Sequence, residues 1–269
     1  MEKGGDAEKK QKIFTNYISQ PQIWNKYVYS INNPINYSDP DGRRPLTQAE
    51  QDQLKQFREL GYAYSVERMN SDDPNLRWTA AQAEAFRHRV DAASQVIENA
   101  ILAVPDKQED PRNLRVVLYA MSKFGNPQFT NSGDVYFNSN GAKVSLGNGQ
   151  NKCTIFIGIA YAKGGGIGWK AGKNAGGYQV DWWNRTWEYR VPVANAIADN
   201  GLANFSATSS PTMGDVVIGK GVGGAGGHGG IYINSDVVIS ANQTHGVRTG
   251  SFASDTTPNG GFRYFTYKP

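Results

Sequence analysis

At 269 residues, 39% of them hydrophobic, the chain is long enough for one or two domains with a sizeable core. Its single cysteine excludes an intramolecular disulfide framework and a cysteine-rich zinc site, and three histidines (His88, His228, His245) leave little for a metal. The net charge of +4 is spread out apart from Lys9, Lys10, Lys12 and the pair Arg43-Arg44, so it favours an anionic partner, nucleic acid or an anionic cell wall, without selecting one.

The opening, Met1-Glu2-Lys3-Gly4-Gly5-Asp6, has no apolar h-region, which predicts no signal peptide of the general export route. No apolar run approaches the length of a membrane span. The 31 glycines have no collagen period.

Residues 1–46 read as a turn-rich opening segment. Asn33-Pro34 and Asp39-Pro40-Asp41-Gly42 are turn signals, and short aromatic and β-branched stretches of strand type lie between them. Such a piece is too small to form its own core. Its Asn25, Tyr27, Tyr29, Asn32-Asn33-Pro34, Tyr37, Asp39-Pro40 and Gly42 follow in order the pattern that closes the repeat-associated β-shell of Rhs/YD-repeat proteins, which this segment resembles. The resemblance implies that the chain beyond this segment is a toxin domain delivered to competitors. Family shells often cut themselves just after this pattern; Arg43 stands where they carry leucine.

From Thr47 the pattern turns helical, over 47–125. Thr47 with Glu50 forms a capping box, and Leu54, Phe57 and Leu60 give an apolar stripe that Gly61 is expected to end. Thr79 with Gln82 opens a second helix. Its Phe86, Val90, Ala93, Ile97, Ile101 and Val104 recur at helical spacing, and Pro105 comes next. Asp110-Pro111 opens a third, with Leu114, Val117, Leu118 and Met121 inside and Gly125 after it. His88 sits among charges as a surface histidine. The sequence leaves open whether these helices are a spacer, a packing subdomain or part of the toxin core.

The third segment, 126–269, begins with an Asn-, Gly- and Ser-rich stretch holding one strand-like run, Val135-Tyr136-Phe137. Next comes Lys152-Cys153 and the apolar run Thr154 to Tyr161, which reads as a buried helix. Glycines after Lys163 lack the Gly-Lys-Ser/Thr end of a phosphate loop and read as a flexible wall. Trp182, Trp183 and Trp187 suit either a core or a groove wall. A short helix is expected over 193–200, closed by Gly201. The last seventy residues change to strand period: 215–218, a hairpin over 228–242 turning at Asn234-Ser235-Asp236, and a final strand at 262–267. Helices first and antiparallel strands last indicate an α+β domain.

A lone cysteine is most often a small buried hydrophobe. Cys153, however, falls where a helix begins, and there the helix dipole favours a thiolate. Alternation along the hairpin places Ile231, Ile233, Val237 and Ile239 on one face. With a three-residue turn His228, Tyr232, Ser240 and Asn242 share the other, His228 opposite Asn242 and Ser240 one diagonal away. A two-residue turn would break that parity. A cysteine at a helix start with a histidine on a following strand is the layout of a papain-like nucleophile: the imidazole takes the thiol proton and a polar third residue orients the ring. Ser240 and Asn242 are the candidate orienters, with His245 less favoured. The N–H of Cys153 and the side chain of Gln150 are candidate oxyanion donors. Thiol chemistry of this kind needs no cofactor and no metal.

These stretches resemble the NlpC-type and CHAP-like cell-wall peptidases and amidases over 150–248. The cysteine lies in Asn151-Lys152-Cys153-Thr154-Ile155-Phe156-Ile157, and the histidine comes after Gly214-Asp215-Val216-Val217, in Gly227-His228-Gly229-Gly230-Ile231-Tyr232. Ser240 occupies the position where the family often has a histidine as third residue, and Lys152 stands where an Asp or Asn usually precedes the cysteine. The resemblance implies a papain-like fold, a catalytic helix on an antiparallel sheet, and hydrolysis of amide bonds in peptidoglycan stem peptides. With the Rhs-like opening it implies a secreted antibacterial toxin carried by a route such as type VI secretion to a competitor's cell wall or periplasm. An Rhs shell and secretion apparatus, and a cognate immunity protein in the producer, are then the expected partners. Other readings are a papain-like deamidase, transglutaminase or acyltransferase acting on a protein, and a non-enzymatic glycan-binding module using the aromatic clusters. A nuclease would want a metal or phosphate site that the sequence does not display, so nucleic acid is not an expected partner.

Overall fold

The computed structural model describes residues 44–105, 108–130, 135–139, 142–146, 152–166, 194–202, 204–220, 227–242, 244–255 and 261–268. The chain divides into two compact units, Met1–Arg44 with Pro105–Lys107, and Pro45–Val104 with Gln108–Pro269. All the helices and strands named here belong to the second. The Rhs-like pattern at 25–42, the tryptophan cluster and the glycine-rich stretch at 167–177 lie outside the described residues.

Three helices open the unit: α1 (Gln48–Met69), α2 (Ala80–Leu102) and α3 (Arg112–Met121). Both expected capping boxes form: Thr47 and Thr79 accept from the N–H groups of Glu50 and Gln82, whose side chains reach back to the cap N–H. Pro111 precedes α3, and Gly125, with φ +67°, comes after it. One boundary is corrected: α1 does not end at Gly61 but runs eight residues further, to Met69. Gly61 is instead a crossing point, since a Cβ there would lie 2.7 Å from Cγ2 of Val90 on α2. A glycine inside a helix costs about 1 kcal/mol relative to alanine, and close helix packing offsets it here.

Two further helices, α4 (Cys153–Lys163) and α5 (Ala194–Asn200), precede most of the strands. A small hairpin pairs β1 (Val135–Ser139) with β2 (Ala142–Leu146). The main sheet holds β3 (Phe205–Thr208), β4 (Val216–Gly219), β5 (His228–Asn234), β6 (Val237–Asn242), β7 (Gly246–Ser251) and β8 (Phe262–Tyr267), in the order β3-β8-β4-β5-β6-β7. Every neighbouring pair in it is antiparallel. A four-residue helix, α6 (Phe252–Asp255), comes directly after β7. The unit is therefore α+β, helices plus an antiparallel sheet. The strands β2, β3 and β7 were not anticipated; they are short and carry glycine, serine or threonine rather than long apolar runs.

The β5–β6 hairpin reaches the expected register by another route. Ile231 pairs with Ile239 and Tyr232 with Val238, the pairing a three-residue turn would give. The loop, however, is only Ser235-Asp236, with Ser235 in the left-handed region at φ +51°. A bulge between Tyr232 and Asn234 supplies the extra residue and restores the parity. The hairpin thus places Ile231, Ile233, Val237 and Ile239 in the main core, as alternation predicts.

That core also takes Phe57 from α1, Phe86, Val90 and Ile97 from α2, Val117 from α3, Phe156 and Ile157 from α4 and Ile218 from β4. Fully burying each such side chain is worth about 1.5–3 kcal/mol. The helices of 47–104 therefore share one core with the sheet. Polar ties reinforce the contact: Tyr64 Oη donates to the Ser251 carbonyl at 3.3 Å, and Arg248 of β7 pairs with Glu67 of α1 at 2.5 Å. A second, smaller cluster gathers Val217, Val238 and Phe252, with Tyr232, Phe262 and Tyr264 packed on it.

Candidate active site

Helix α4 is anchored along almost its whole length. Residues Cys153 to Gly158, Ala160 and Tyr161 are buried, and the Phe156 ring meets Phe129 edge-on at 5.4 Å. Its C-terminal end is closed by α3: Arg115 Nε donates to the Gly164 carbonyl at 3.1 Å and Arg112 Nε to that of Gly165 at 3.3 Å. These cations suit the negative pole of the helix. At the other end the cap residue is Lys152, which offers no side-chain hydrogen bond to the first turn. Its buried ammonium instead donates to the Thr130 carbonyl at 2.6 Å. The cap residue itself therefore supplies no side-chain acceptor to the first N–H groups of the helix.

Strand β5 brings the histidine to this end. Gly227, at φ +56°, leads into it, and a Cβ there would meet the Asn195 side chain at 2.6 Å and the Gly219 carbonyl at 2.7 Å. Gly229 faces α4; a Cβ would stand 3.0 Å from Cδ1 of Ile157 and of Ile218. That missing side chain brings the strand backbone up to the start of α4. The half-buried His228 imidazole and the N–H groups of Gly229 and Thr154 are the hydrogen-bonding neighbours that act on the Cys153 thiol.

Cys153 is 3% exposed. Burial is the largest single influence on its thiol and pushes the pKa up. The His228 hydrogen bond, the His228 charge and the two backbone N–H groups act the other way, and together they hold the thiol below its ordinary value. Two of the expected site residues, Cys153 and His228, are thus neighbours, and His228 acts on the thiol in the direction that favours its ionised form.

The candidate third residues sit differently. Ser240 is buried on the strand beside Gly230, but its Oγ takes no hydrogen bond among the described residues. The Asn242 Oδ1 is engaged in the β6–β7 turn, accepting from the N–H groups of Thr244 at 2.8 Å and His245 at 3.2 Å. His245 is exposed, near Asn242, Arg248 and Glu67. Gln150 lies outside the described residues. His88 is a surface histidine, 3.4 Å from Glu84 one turn back. The N–H groups of Thr154 and Gly229 were not singled out in the sequence. The first was accessible to reasoning, because every helix start leaves such donors; the second depends on how closely α4 and β5 pack.

Among the described residues, no three His, Cys, Asp or Glu side chains gather to hold a metal ion, and no helix is long and apolar enough to cross a membrane. Comparison with protein-family models and with curated proteins returns no match.

Proposed function

We propose that the chain is a cysteine hydrolase of the papain-like kind that cleaves amide bonds in peptidoglycan stem peptides. The observation that carries this reading is the buried Cys153 thiol, hydrogen-bonded by His228 and faced by two backbone N–H groups at a helix start. Burial alone would push this thiol up; its polar neighbours outweigh burial and hold it below its ordinary value. The substrate class rests on the motif resemblance around Cys153 and His228, and the Rhs-like opening supports an antibacterial toxin with an immunity partner in the producing cell.

In this mechanism His228 accepts the thiol proton and the Cys153 sulfur attacks the amide carbonyl carbon. N–H groups at the start of α4 stabilise the oxyanion as it forms. The C–N bond breaks, the leaving amine takes the proton from His228, and a thioester remains on Cys153. Water, deprotonated by His228, attacks the thioester; the acid is released and the proton returns to the sulfur.

The test is digestion of purified peptidoglycan with wild type and with Cys153→Ala, products read by mass. New muropeptides from wild type are expected, with a loss of at least about a thousandfold in the variant. Equal release by both proteins would refute the thiol mechanism; no release by wild type would refute the substrate.

A further inference from the structure

We infer that Phe252 is a positioning residue for the His228 imidazole, holding the ring in place by stacking against it. The inference rests on the proposed Cys–His chemistry and concerns how that site is held. The two rings stack with centroids 5.8 Å apart and planes 23° from parallel. No side chain intervenes on the strand, because the next residue along β5 on the histidine's side is Gly230.

Phe252 is itself firmly fixed. It is 3% exposed, packs with Val217 and Val238, and meets the Phe262 ring edge-on at 5.2 Å. Its backbone is pinned by Asp236 of the β5–β6 loop. The Asp236 carbonyl accepts from the Phe252 N–H at 3.0 Å, and its carboxylate accepts from the Ala253 N–H at 2.7 Å and from the Ser251 hydroxyl.

A stacked ring limits rotation of the imidazole about its side-chain bonds, so the nitrogen facing the sulfur stays aimed at it. It also presents a π-face to the imidazolium, favouring the charged form that accompanies the thiolate. A hydrogen-bonding third residue selects a tautomer as well as an orientation; an aromatic ring selects orientation alone. The thiolate fraction at Cys153 is therefore expected to depend on an apolar residue.

Because Cys153 is the only cysteine, alkylation of the intact chain by iodoacetamide reports one thiol. Its rate is measured from pH 4 to pH 10 in wild type, Phe252→Leu, Phe252→Tyr, Asp236→Ala and Val238→Ala, with thermal unfolding recorded for each. Wild type is expected to react through a low-pH limb. In Phe252→Leu the rate near pH 6 falls about three- to tenfold while the rate at full ionisation is kept. Phe252→Tyr retains the wild-type profile. Asp236→Ala, which loosens the ring's mooring from outside the cluster, displaces the profile in the same direction and covers the case in which Phe252→Leu does not fold. Val238→Ala, which opens a cavity in the same cluster without removing the ring, leaves the profile in place. A Phe252→Leu profile that superimposes on wild type overturns the inference, as does an equal displacement by Val238→Ala. A wild-type thiol with no low-pH limb overturns the Cys–His reading itself, and this inference with it.

Discussion

The two ends of helix α4 carry two ionisable groups in almost equally buried settings, with opposite outcomes. Cys153 at the N-terminal end is 3% exposed and its thiol is held below the ordinary value. Tyr161, two turns along, is 1% exposed, and burial followed by the charge of Asp215 holds its phenol far above the usual tyrosine range. The phenol donates to the Gly214 carbonyl, so its hydrogen bond stabilises the protonated form. The thiol is met by an imidazole and by N–H donors, whose hydrogen bonds stabilise the ionised form. Burial raises both groups; the sign of the partner decides the direction of the net shift.

The contrast can be broken most severely at its N-terminal end. His228→Ala leaves the burial of Cys153 and removes its principal counterweight, so the thiol moves up toward the behaviour of Tyr161. Substrate hydrolysis is expected to fall by about 10²–10⁴, with slower alkylation of Cys153 at neutral pH as the check. At the other end, Tyr161→Phe strands the Gly214 carbonyl without its donor. A loss of about 1–2 kcal/mol in urea-unfolding stability is expected, with the Cys153 alkylation profile unmoved.

Asp215→Asn sharpens the comparison by removing the charge beside Tyr161. Burial raises the Asp215 carboxyl above its ordinary 3.8, against hydrogen bonds from the Thr212 N–H and from the Thr266 and Thr212 hydroxyls. The folded state therefore binds this proton more tightly than the unfolded state does. Its contribution to stability is complete below about pH 3.8 and is lost as the pH rises through the raised folded value. An asparagine keeps an acceptor oxygen and has no such dependence. Urea midpoints from pH 3 to pH 7 should shift in favour of Asp215→Asn as the pH increases. The smallest effect belongs to Ser240→Ala, which removes a buried hydroxyl with no hydrogen bond among the described residues. Activity within about twofold of wild type and equal or slightly higher stability are expected; a large loss of activity would restore Ser240 as an orienter.

The elements read well from the sequence were those whose signals are local. Thr47, Thr79 and Pro111 mark helix starts through their own chemistry, and Phe86, Val90, Ala93, Ile97 and Ile101 mark a buried face through spacing alone; all five are fully buried. The strand at 262–267 appears as expected. Gly61 was misread because a glycine that ends a helix and one that admits a neighbouring helix look alike until Val90 is in place. In the site, the Cys153–His228 pairing was legible from motif order, a helix start and strand parity. What remained hidden depends on contacts distant in sequence. The Gly229 N–H reaches the sulfur only because α4 packs against β5, and Phe252 meets His228 only because the hairpin loop holds the segment after β7. Residues 25–42, Gln150 and the tryptophans at 182–187 lie outside the described residues.

The bulge between Tyr232 and Asn234 has a consequence for how this hairpin can change length. With a two-residue loop, the bulged residue is what keeps Ile231 and Ile239 inward and His228 on its own side. Removing or adding a single residue beyond His228 turns the pleat over, exchanging core positions for site positions. Insertions and deletions within the strands of this hairpin are therefore expected to be tolerated in pairs, or singly when the bulge is created or erased in the same event. The hairpin behaves as an even-numbered device, and the phase of the histidine is inherited with it.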